Sequence, residues 1–139
     1  MGMFGSTNIP CVGASIGIER VFAILEEKIK KENVVLRENL SDFIVCTIPS
    51  KTMDLNLEKF KLYDELWAAG LRADVNYKLN WNLGKQLTYA NDQRIPFAIV
   101  IGEDEVKNGV VKVKNLNEKT EETVKRDEVI ELLKKKWII

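Results

Sequence analysis

The distribution of apolar and polar residues along the chain predicts two segments of unequal size. In the first segment, apolar residues recur at the spacing of one helical face, and charged residues occupy the opposite face. These apolar residues are Ile18, Val21, Phe22, Leu25 and Ile29. The mostly polar residues 33–41 follow. The pattern therefore predicts an amphipathic helix and then a linker.

The second segment, residues 42–139, contains patterns that predict five strands. Continuous apolar runs rich in β-branched residues indicate strands buried on both faces at Phe43–Ile48 and Ile95–Ile101. A shorter strand is expected between them at Leu71–Tyr77. Alternating apolar and polar residues then indicate a half-buried strand at Val111–Lys114, and Thr120–Val124 suits a partner strand beside it.

Helical patterns separate these strands. The helix after the first strand is expected to end at Gly70 and to turn four apolar side chains toward the core. These are Leu57, Phe60, Leu66 and Trp67. The next helix is expected to begin at Asn80 or Asn82, because asparagine side chains cap helix N-termini well. Its inward side chains are Leu83, Leu87 and Ala90.

The order of these elements predicts an α/β fold. We expect a mixed five-stranded sheet flanked by helices, preceded by a separate strand and helix. The predicted divisions are residues 1–32, a linker at 33–41 and a domain at 42–139.

Composition excludes several classes of site. The 139 residues include 21 basic and 21 acidic ones, so any contact with RNA must come from local clustering of charge. The absence of histidine excludes histidine-based catalysis, and no metal site is predicted. Cys11 and Cys46 are expected to be buried, reduced thiols. No apolar run is long enough to span a bilayer, and we expect a cytoplasmic location.

Residues 12–20 form the most informative string, Val-Gly-Ala-Ser-Ile-Gly-Ile-Glu-Arg. In an extended strand, Gly13, Ser15 and Gly17 lie on one side and leave room for a flat ring against the backbone. Arg20 follows in the first helical turn, where its guanidinium and the helix N-terminus both favour phosphate. The spacing alone leaves two interpretations open: a nucleotide seat, or turn glycines beside a surface arginine.

The string resembles motif 3 of class II aminoacyl-tRNA synthetases. The longer pattern over residues 13–26, Gly-x-Ser-x-Gly-Ile-Glu-Arg-Val-Phe-x-Ile-x-Glu, is similar to eukaryotic histidine–tRNA ligases in particular. The resemblance implies that Gly17 belongs to the floor under adenine and that Arg20 binds ATP. It also implies that ATP with Mg²⁺ serves the complete enzyme and that residues 1–32 end its catalytic domain. No cofactor is expected for this chain by itself.

The resemblance continues through the second segment. Residues 65–70, 77–80, 84–89 and 101–109 are similar to the anticodon-binding domain of the same family. The matching strings are Glu-Leu-Trp-Ala-Ala-Gly, Tyr-Lys-x-Asn, Gly-x-Gln-Leu-x-Tyr and Ile-Gly-Glu-x-Glu-x-Lys-x-Gly. The resemblance implies that residues 42–139 form this domain and that their partner is the anticodon stem-loop of histidine tRNA.

Two charged side chains are candidate readers of a guanine base. The pairing edge of guanine carries two N–H donors that suit a carboxylate, and an O6 acceptor that suits an ammonium group. Glu105, expected in a loop before an Asn108-Gly109 tight turn, and Lys114 are close enough in sequence to supply both. Lys112 shares the strand face of Lys114. The ordinary alternatives are a turn-capping carboxylate and a solvated strand face.

Three further residues are candidates for anticodon binding. Asn80 offers an amide donor and acceptor, and the resemblance implies that it lies on the anticodon-facing surface with Glu105 and Lys114. Tyr77 and Trp81 offer rings on which bases stack. A core position is the ordinary alternative for Trp81.

The resemblance implies that the complete enzyme attaches histidine to its tRNA with ATP and is a homodimer. Motifs 1 and 2 of this class are not found in the chain, so by itself it is expected to bind tRNA weakly and not to catalyse. We expect no membrane or DNA partner. Two alternatives stay open: a free-standing anticodon-domain module without catalysis, and a small α/β interaction or regulatory module. Whether Met1 is a native start is not determined.

Overall fold

The computed structural model describes residues 8–34 and 36–137. The chain divides into two compact units, Met1–Leu36 and Arg37–Ile139. The division falls inside the stretch 33–41 that the sequence predicts as a linker.

The first unit contains helix α1, Ile18–Lys31, as its apolar spacing predicts. Gly17 is the N-cap residue, and the last turn carries lysines, whose charge the helix dipole favours there. No residue of α1 is buried. Residues 8–17 form no strand, so the predicted strand is not found. A strand depends on backbone hydrogen bonds to a neighbouring strand, and the described residues of this unit supply none.

The second unit is built on a mixed sheet of five strands, which confirms the predicted fold class. The strands are β1 (Phe43–Thr47), β2 (Ala73–Val75), β3 (Phe97–Ile101), β4 (Val110–Asn115) and β5 (Thr120–Lys125). Their order across the sheet is β2-β1-β3-β4-β5. β1 is parallel to β2 and to β3, whereas β4 is antiparallel to β3 and to β5.

In the described part of this unit, four helices accompany the sheet. They are α2 (Leu55–Ala68), α3 (Leu83–Asp92), α4 (Glu103–Asn108) and α5 (Val129–Trp137). Leucines of α2 and α5 join Phe43 and Val45 in one core cluster, and Ala90 of α3 joins Ile44 and Cys46 in another. Neighbouring residues of a strand point to opposite faces, and each face of β1 packs in one of these clusters. β1 is therefore buried over its whole length, as predicted. None of the described helices could cross a membrane.

The buried face of α2 differs in phase from the prediction. The buried side chains are Leu55, Lys59, Leu62 and Leu66. Leu66 is therefore confirmed as a core residue and Phe60 is half-buried, but Leu57 and Trp67 are 59% and 57% exposed, so their prediction as core residues is wrong. Asp54 caps the helix by accepting the Asn56 N–H. The helix that starts there turns Lys59 toward the core and leaves Leu57 outside.

The side chain of Trp67, near the end of α2, makes a hydrogen bond to the edge of the sheet. Its indole N–H donates to the Ala73 carbonyl of the edge strand β2 at 3.0 Å, so the ring lies along the side of the sheet. Gly70 follows the helix with a φ of 79°. This is the left-handed conformation that a glycine after a helix adopts readily, and it confirms the predicted end.

Of the two asparagines predicted to cap helix α3, Asn82 is the N-cap residue. The Asn82 carboxamide oxygen accepts the Lys85 N–H at 2.9 Å, and Asn80 lies before the helix. Ala90 is buried, while Leu83 and Leu87 are half-buried and pack against the same core cluster. The predicted inward face is thus confirmed.

Helix α4 replaces the loop that was predicted around Glu105. Its first turn holds Glu103, Asp104 and Glu105, whose charges the positive end of the helix dipole favours. Gly109 has a φ of 65° and ends the helix. The chain turns at Asn108-Gly109, as predicted, but the turn is a helix stop with a left-handed glycine.

The two cysteines have different surroundings. Cys46 is fully buried in β1, and desolvation raises the pKa of its thiol to about 12. Cys11 is exposed, so the prediction of a buried thiol is confirmed for Cys46 and wrong for Cys11.

Leu62→Ala is expected to lower the free energy of unfolding by about 2–5 kcal/mol, because the fully buried side chain leaves a cavity. The matched change Leu57→Ala, on the exposed side of the same helix, is expected to cost less than about 0.5 kcal/mol. Urea unfolding followed by circular dichroism measures both. Equal losses would contradict the phase of α2.

A thiol reagent is expected to label Cys11 rapidly in the native protein at mildly alkaline pH, and Cys46 only after unfolding. The raised pKa keeps the Cys46 thiol protonated, and burial keeps reagent away from it. Cys11→Ser should abolish the rapid phase and leave the denaturant-dependent one. Rapid labelling that persists in Cys11→Ser would show that β1 is accessible.

Candidate nucleic-acid interface

Three segments meet at the carboxyl ends of the parallel strands. Residues 48–54 follow β1, residues 76–82 follow β2, and α4 follows β3 after Gly102. From β1 the chain passes first to β2 on one side and then to β3 on the other. Open α/β sheets bind ligands at such a reversal of strand order, because the segments diverge there and leave a crevice.

Two depressions lie at this edge. One is lined by residues after β1 and β2, among them Thr47, Met53, Leu79 and Asn80. The other is lined by residues after β1 and β3, among them Ile48, Gly102, Glu105 and Lys112. Residues 49–52 line both depressions. Of the residues predicted to contact bases, Asn80, Glu105 and Lys112 line these depressions, whereas Lys114 lies further along β4, opposite Ala98 of β3.

The Glu105 side chain pairs with Lys112 and packs against the backbone of Gly102. It is 8% exposed, and its Oε1 lies 3.2 Å from Lys112 Nζ. A Cβ added at Gly102 would overlap the Glu105 carboxylate and lie 3.1 Å from Ile48 Cδ1. Gly102 is therefore needed for space, since its φ of −119° is open to any residue.

The charges continue from Glu105 across β4 to β5. Lys112 and Lys114 lie on one face of β4, and both reach Glu121, at 3.6 Å and 2.9 Å. The hydrogen bond to Glu105 raises the pKa of Lys112, and the hydrogen bond from Lys114 lowers that of Glu121. The sequence predicted that Glu105 and Lys114 act together. The structure instead pairs Glu105 with Lys112, and Lys114 with Glu121.

A second ionic group joins the segment after β1 to α4. The Glu103 carboxylate accepts from Ser50 Oγ at 2.7 Å and from Lys107 Nζ at 2.8 Å. These hydrogen bonds, chiefly that of Lys107, lower the pKa of Glu103 to about 2. The carboxylate therefore stays ionised through the neutral range and connects the two segments.

The segment after β2 presents aromatic rings and an amide. Tyr77 is 69% exposed, and its ring stacks on Phe60 with 6.4 Å between centroids. Trp81 is half-buried against Tyr89, and Lys78 Nζ lies 4.8 Å from its ring centroid. Asn80 is exposed. Trp81 is thus partly a packing residue, whereas Tyr77 and Asn80 face solvent.

The sequence prediction missed two buried polar residues beside this segment. Lys59 and Gln86 are each 1% exposed. Lys59 Nζ donates to the Asn76 carbonyl at 2.7 Å, and Gln86 Nε2 donates to the Trp81 carbonyl at 2.9 Å. For Lys59 a signal was present in the sequence, because it continues the helical spacing of Leu55, Leu62 and Leu66.

Gly17 and Arg20 lie in the first unit. Gly17 is the N-cap of α1, and Arg20 is exposed in the first turn. A Cβ added at Gly17 would meet only Arg20 Cβ, at 3.9 Å, so nothing described in this unit requires a glycine there. Among the described residues, no three His, Cys, Asp or Glu side chains could hold a metal ion.

Gly102→Ala is expected to lower the free energy of unfolding by about 1–3 kcal/mol, because the new methyl group displaces the buried Glu105 carboxylate. Gly84→Ala is the matched control. Its methyl group would meet only Asn82 Oδ1, at 3.6 Å, and alanine favours the helix by up to about 1 kcal/mol. Urea unfolding of both variants measures the difference. A Gly102→Ala protein as stable as the wild type would show that Glu105 is not confined.

Comparison with known proteins agrees with this architecture. The family model "Anticodon binding domain" matches residues 42–136. The cytoplasmic histidine–tRNA ligase of Dictyostelium discoideum is 40% identical over 126 residues, which are 91% of this chain and 26% of that protein. The histidine–tRNA ligase of Danio rerio is 39% identical over 138 residues, 98% of this chain and 26% of the relative.

A solved structure is similar as well. Apo histidyl-tRNA synthetase of S. aureus is 30% identical with a TM-score of 0.68, over 84% of this chain and 28% of that one. The chain spans 26% of the length of the two relatives. The family model covers most of the chain, on the sheet and helices described above. The chain therefore belongs to the anticodon-binding domain family, and it is similar to histidine–tRNA ligases along nearly its whole length.

Proposed function

We propose that residues 42–137 bind the anticodon loop of histidine tRNA as one domain of a histidine–tRNA ligase. Such an enzyme joins histidine to its tRNA with ATP. The family match and the names of the relatives support the assignment of partner and enzyme. The location of the candidate residues at the carboxyl edge of the parallel strands supports the assignment of the binding surface.

The observation that carries the proposal is the pair formed by Glu105 and Lys112. A carboxylate and an ammonium group 3.2 Å apart match the pairing edge of guanine, whose two N–H donors adjoin the O6 acceptor. The carboxylate is almost fully buried in this conformation, so its side chain has to turn outward to reach a base. Lys112 keeps a second acceptor, Glu121, at 3.6 Å when Glu105 turns to a base.

Neighbouring residues extend this recognition. Tyr77 offers an exposed ring for a second base, and such stacking contributes on the order of 1–3 kcal/mol per base. Trp81 offers the part of its ring that packing leaves open, and Asn80 adds an amide donor and acceptor. Lys114 adds positive charge beside Lys112. Because the chain has equal numbers of acidic and basic residues, affinity depends on these local contacts.

The proposal assigns ATP to the complete enzyme, through Gly17 and Arg20. Its support is the motif around these residues and their location at the N-terminal end of α1, where backbone N–H groups and a guanidinium favour phosphate. Residues 8–17 form no strand and so no floor for adenine in this unit. ATP with Mg²⁺ would therefore need further protein surface.

The location and assembly of the complete enzyme are further parts of the proposal. A cytoplasmic location is supported by the relative from Dictyostelium discoideum, which is named cytoplasmic. Relatives named mitochondrial also exist, as in Bos taurus, so cell fractionation is a discriminating test. A homodimer and the absence of DNA binding stay predictions from the family resemblance. Similarity to ligases over nearly the whole chain favours this assignment over a free-standing module.

The test is binding of the chain to the anticodon stem-loop of histidine tRNA, measured by fluorescence anisotropy beside a stem-loop with exchanged anticodon bases. We expect the first to bind about 5- to 150-fold tighter, because a well-formed pair of contacts to one base discriminates by about 1–3 kcal/mol. Glu105→Gln and Lys112→Met are each expected to remove most of this preference, and Tyr77→Ala to weaken both complexes.

A second ion pair serves as the control. Lys125 and Glu128 form an exposed pair at 3.6 Å, so Lys125→Met and Glu128→Gln repeat the same chemical changes outside the proposed surface. They are expected to leave affinity and preference unchanged. Equal affinity of the wild-type chain for the two stem-loops would contradict the proposed function, as would equal effects of the two variant pairs.

A further inference from the structure

We propose that Lys59 and Gln86 are positioning residues that hold residues 77–81 in the conformation that binds RNA. The inference rests on the proposed function for its ligand, but the anchoring itself is a property of the fold. Residues 77–80 are exposed and Trp81 is half-buried. The two buried side chains hold this segment at its two ends, at Asn76 and at Trp81.

Lys59 holds the first end. Its Nζ donates to the Asn76 carbonyl at 2.7 Å, and burial lowers its pKa by desolvation. Burying an ammonium group costs free energy, and an apolar residue in this phase of α2 would simply join the core. What the lysine adds is a charged hydrogen bond to the carbonyl at which the chain leaves β2.

Asn76 passes this restraint into the exposed segment. Asn76 is 6% exposed, and its Oδ1 accepts the Lys78 N–H at 2.8 Å. The Lys78 carbonyl in turn accepts the Trp81 N–H at 3.3 Å. The direction of the backbone from Asn76 onward is thus set by a short series of hydrogen bonds that begins at Lys59.

Gln86 holds the other end by completing the sheet. The last register pair of β2 with β1 is Val75 with Val45, so Thr47 has no β2 partner. The Gln86 carboxamide takes that place: its Oε1 accepts the Thr47 N–H at 3.0 Å, and its Nε2 donates to the Thr47 carbonyl at 2.8 Å. The same Nε2 donates to the Trp81 carbonyl at 2.9 Å. The end of the exposed segment is therefore attached to the central strand.

The benefit for binding is that the segment is ordered before RNA arrives. Ordering a loop on binding costs conformational entropy, and a preformed loop avoids that cost. Tyr77, Asn80 and Trp81 then keep their relative places. Loosening either end should weaken RNA binding without removing any group that touches a base.

The experiment compares Lys59→Met with Lys61→Met in the full chain. Methionine keeps the length and apolar part of the side chain but not the ammonium group. Lys61 is on the same helix, and its Nζ pairs with Glu58 at the surface, at 3.2 Å. Amide hydrogen exchange at Lys78 and Trp81, and affinity for the histidine tRNA anticodon stem-loop, are measured for each protein.

We expect Lys59→Met to speed exchange at Lys78 and Trp81 on the order of tenfold and to weaken stem-loop binding by a similar factor, as loss of one buried charged hydrogen bond implies. Exchange at Val45 and Ile99, in the core strands, should change much less, and Lys61→Met should match the wild type throughout. Because Lys59→Met risks misfolding, Asn76→Ala provides a second variant that loosens the same segment without altering α2.

Equal acceleration at the segment and the core strands would overturn the proposal, because Lys59 would then support the whole fold. Faster segment exchange with unchanged stem-loop affinity would overturn it too. If the wild-type chain binds no stem-loop, the proposed function fails. Faster exchange in Lys59→Met that is confined to residues 77–81 would then still support anchoring by Lys59. Unchanged exchange in both Lys59→Met and Asn76→Ala would overturn the anchoring.

Discussion

The backbone pairing of β1 is the constraint on which the second unit depends. Phe43–Thr47 is buried over its whole length, so an unpaired N–H or C=O group there would be costly. β3 pairs with all five residues of β1, whereas β2 reaches only as far as Val45. The side chain of Gln86 satisfies Thr47 on the side that β2 leaves open. One buried amide thus makes a short edge strand compatible with a longer central one.

That short strand also shapes the candidate binding edge. Because β2 ends at Val75, residues 76–82 leave the sheet early and are held by side chains instead of strand pairing. Lys59 and Gln86 therefore lie at the border between core and surface, where they contribute to both. On the other side of the segment after β1, Gly102 leaves the space in which Glu105 stays buried beside Lys112. The candidate binding edge is built from contacts that also complete the core.

The elements that the sequence predicted well are those whose pattern is repeated many times. Continuous apolar runs identified β1 and β3, and alternation identified β4. Predictions failed where one residue decided the outcome. In α2 a lysine, Lys59, occupies the inward position between Leu55 and Leu62, so a search for apolar residues alone selected the wrong face. In α4 a helix of only six residues shows no periodicity that distinguishes it from a loop.

By itself the sequence determined the fold class, the family resemblance and a set of candidate residues. These are Tyr77, Asn80, Trp81, Glu105, Lys112 and Lys114. Only the tertiary structure decided which charges form pairs. Glu105 contacts Lys112 because α4 follows β3 as a helix. Lys114 contacts Glu121 because the register of β4 with β5 places these two residues opposite each other. Periodicity reports the average environment of one element. A pairing between two elements depends on how their ends pack, and distances along the chain do not contain that information.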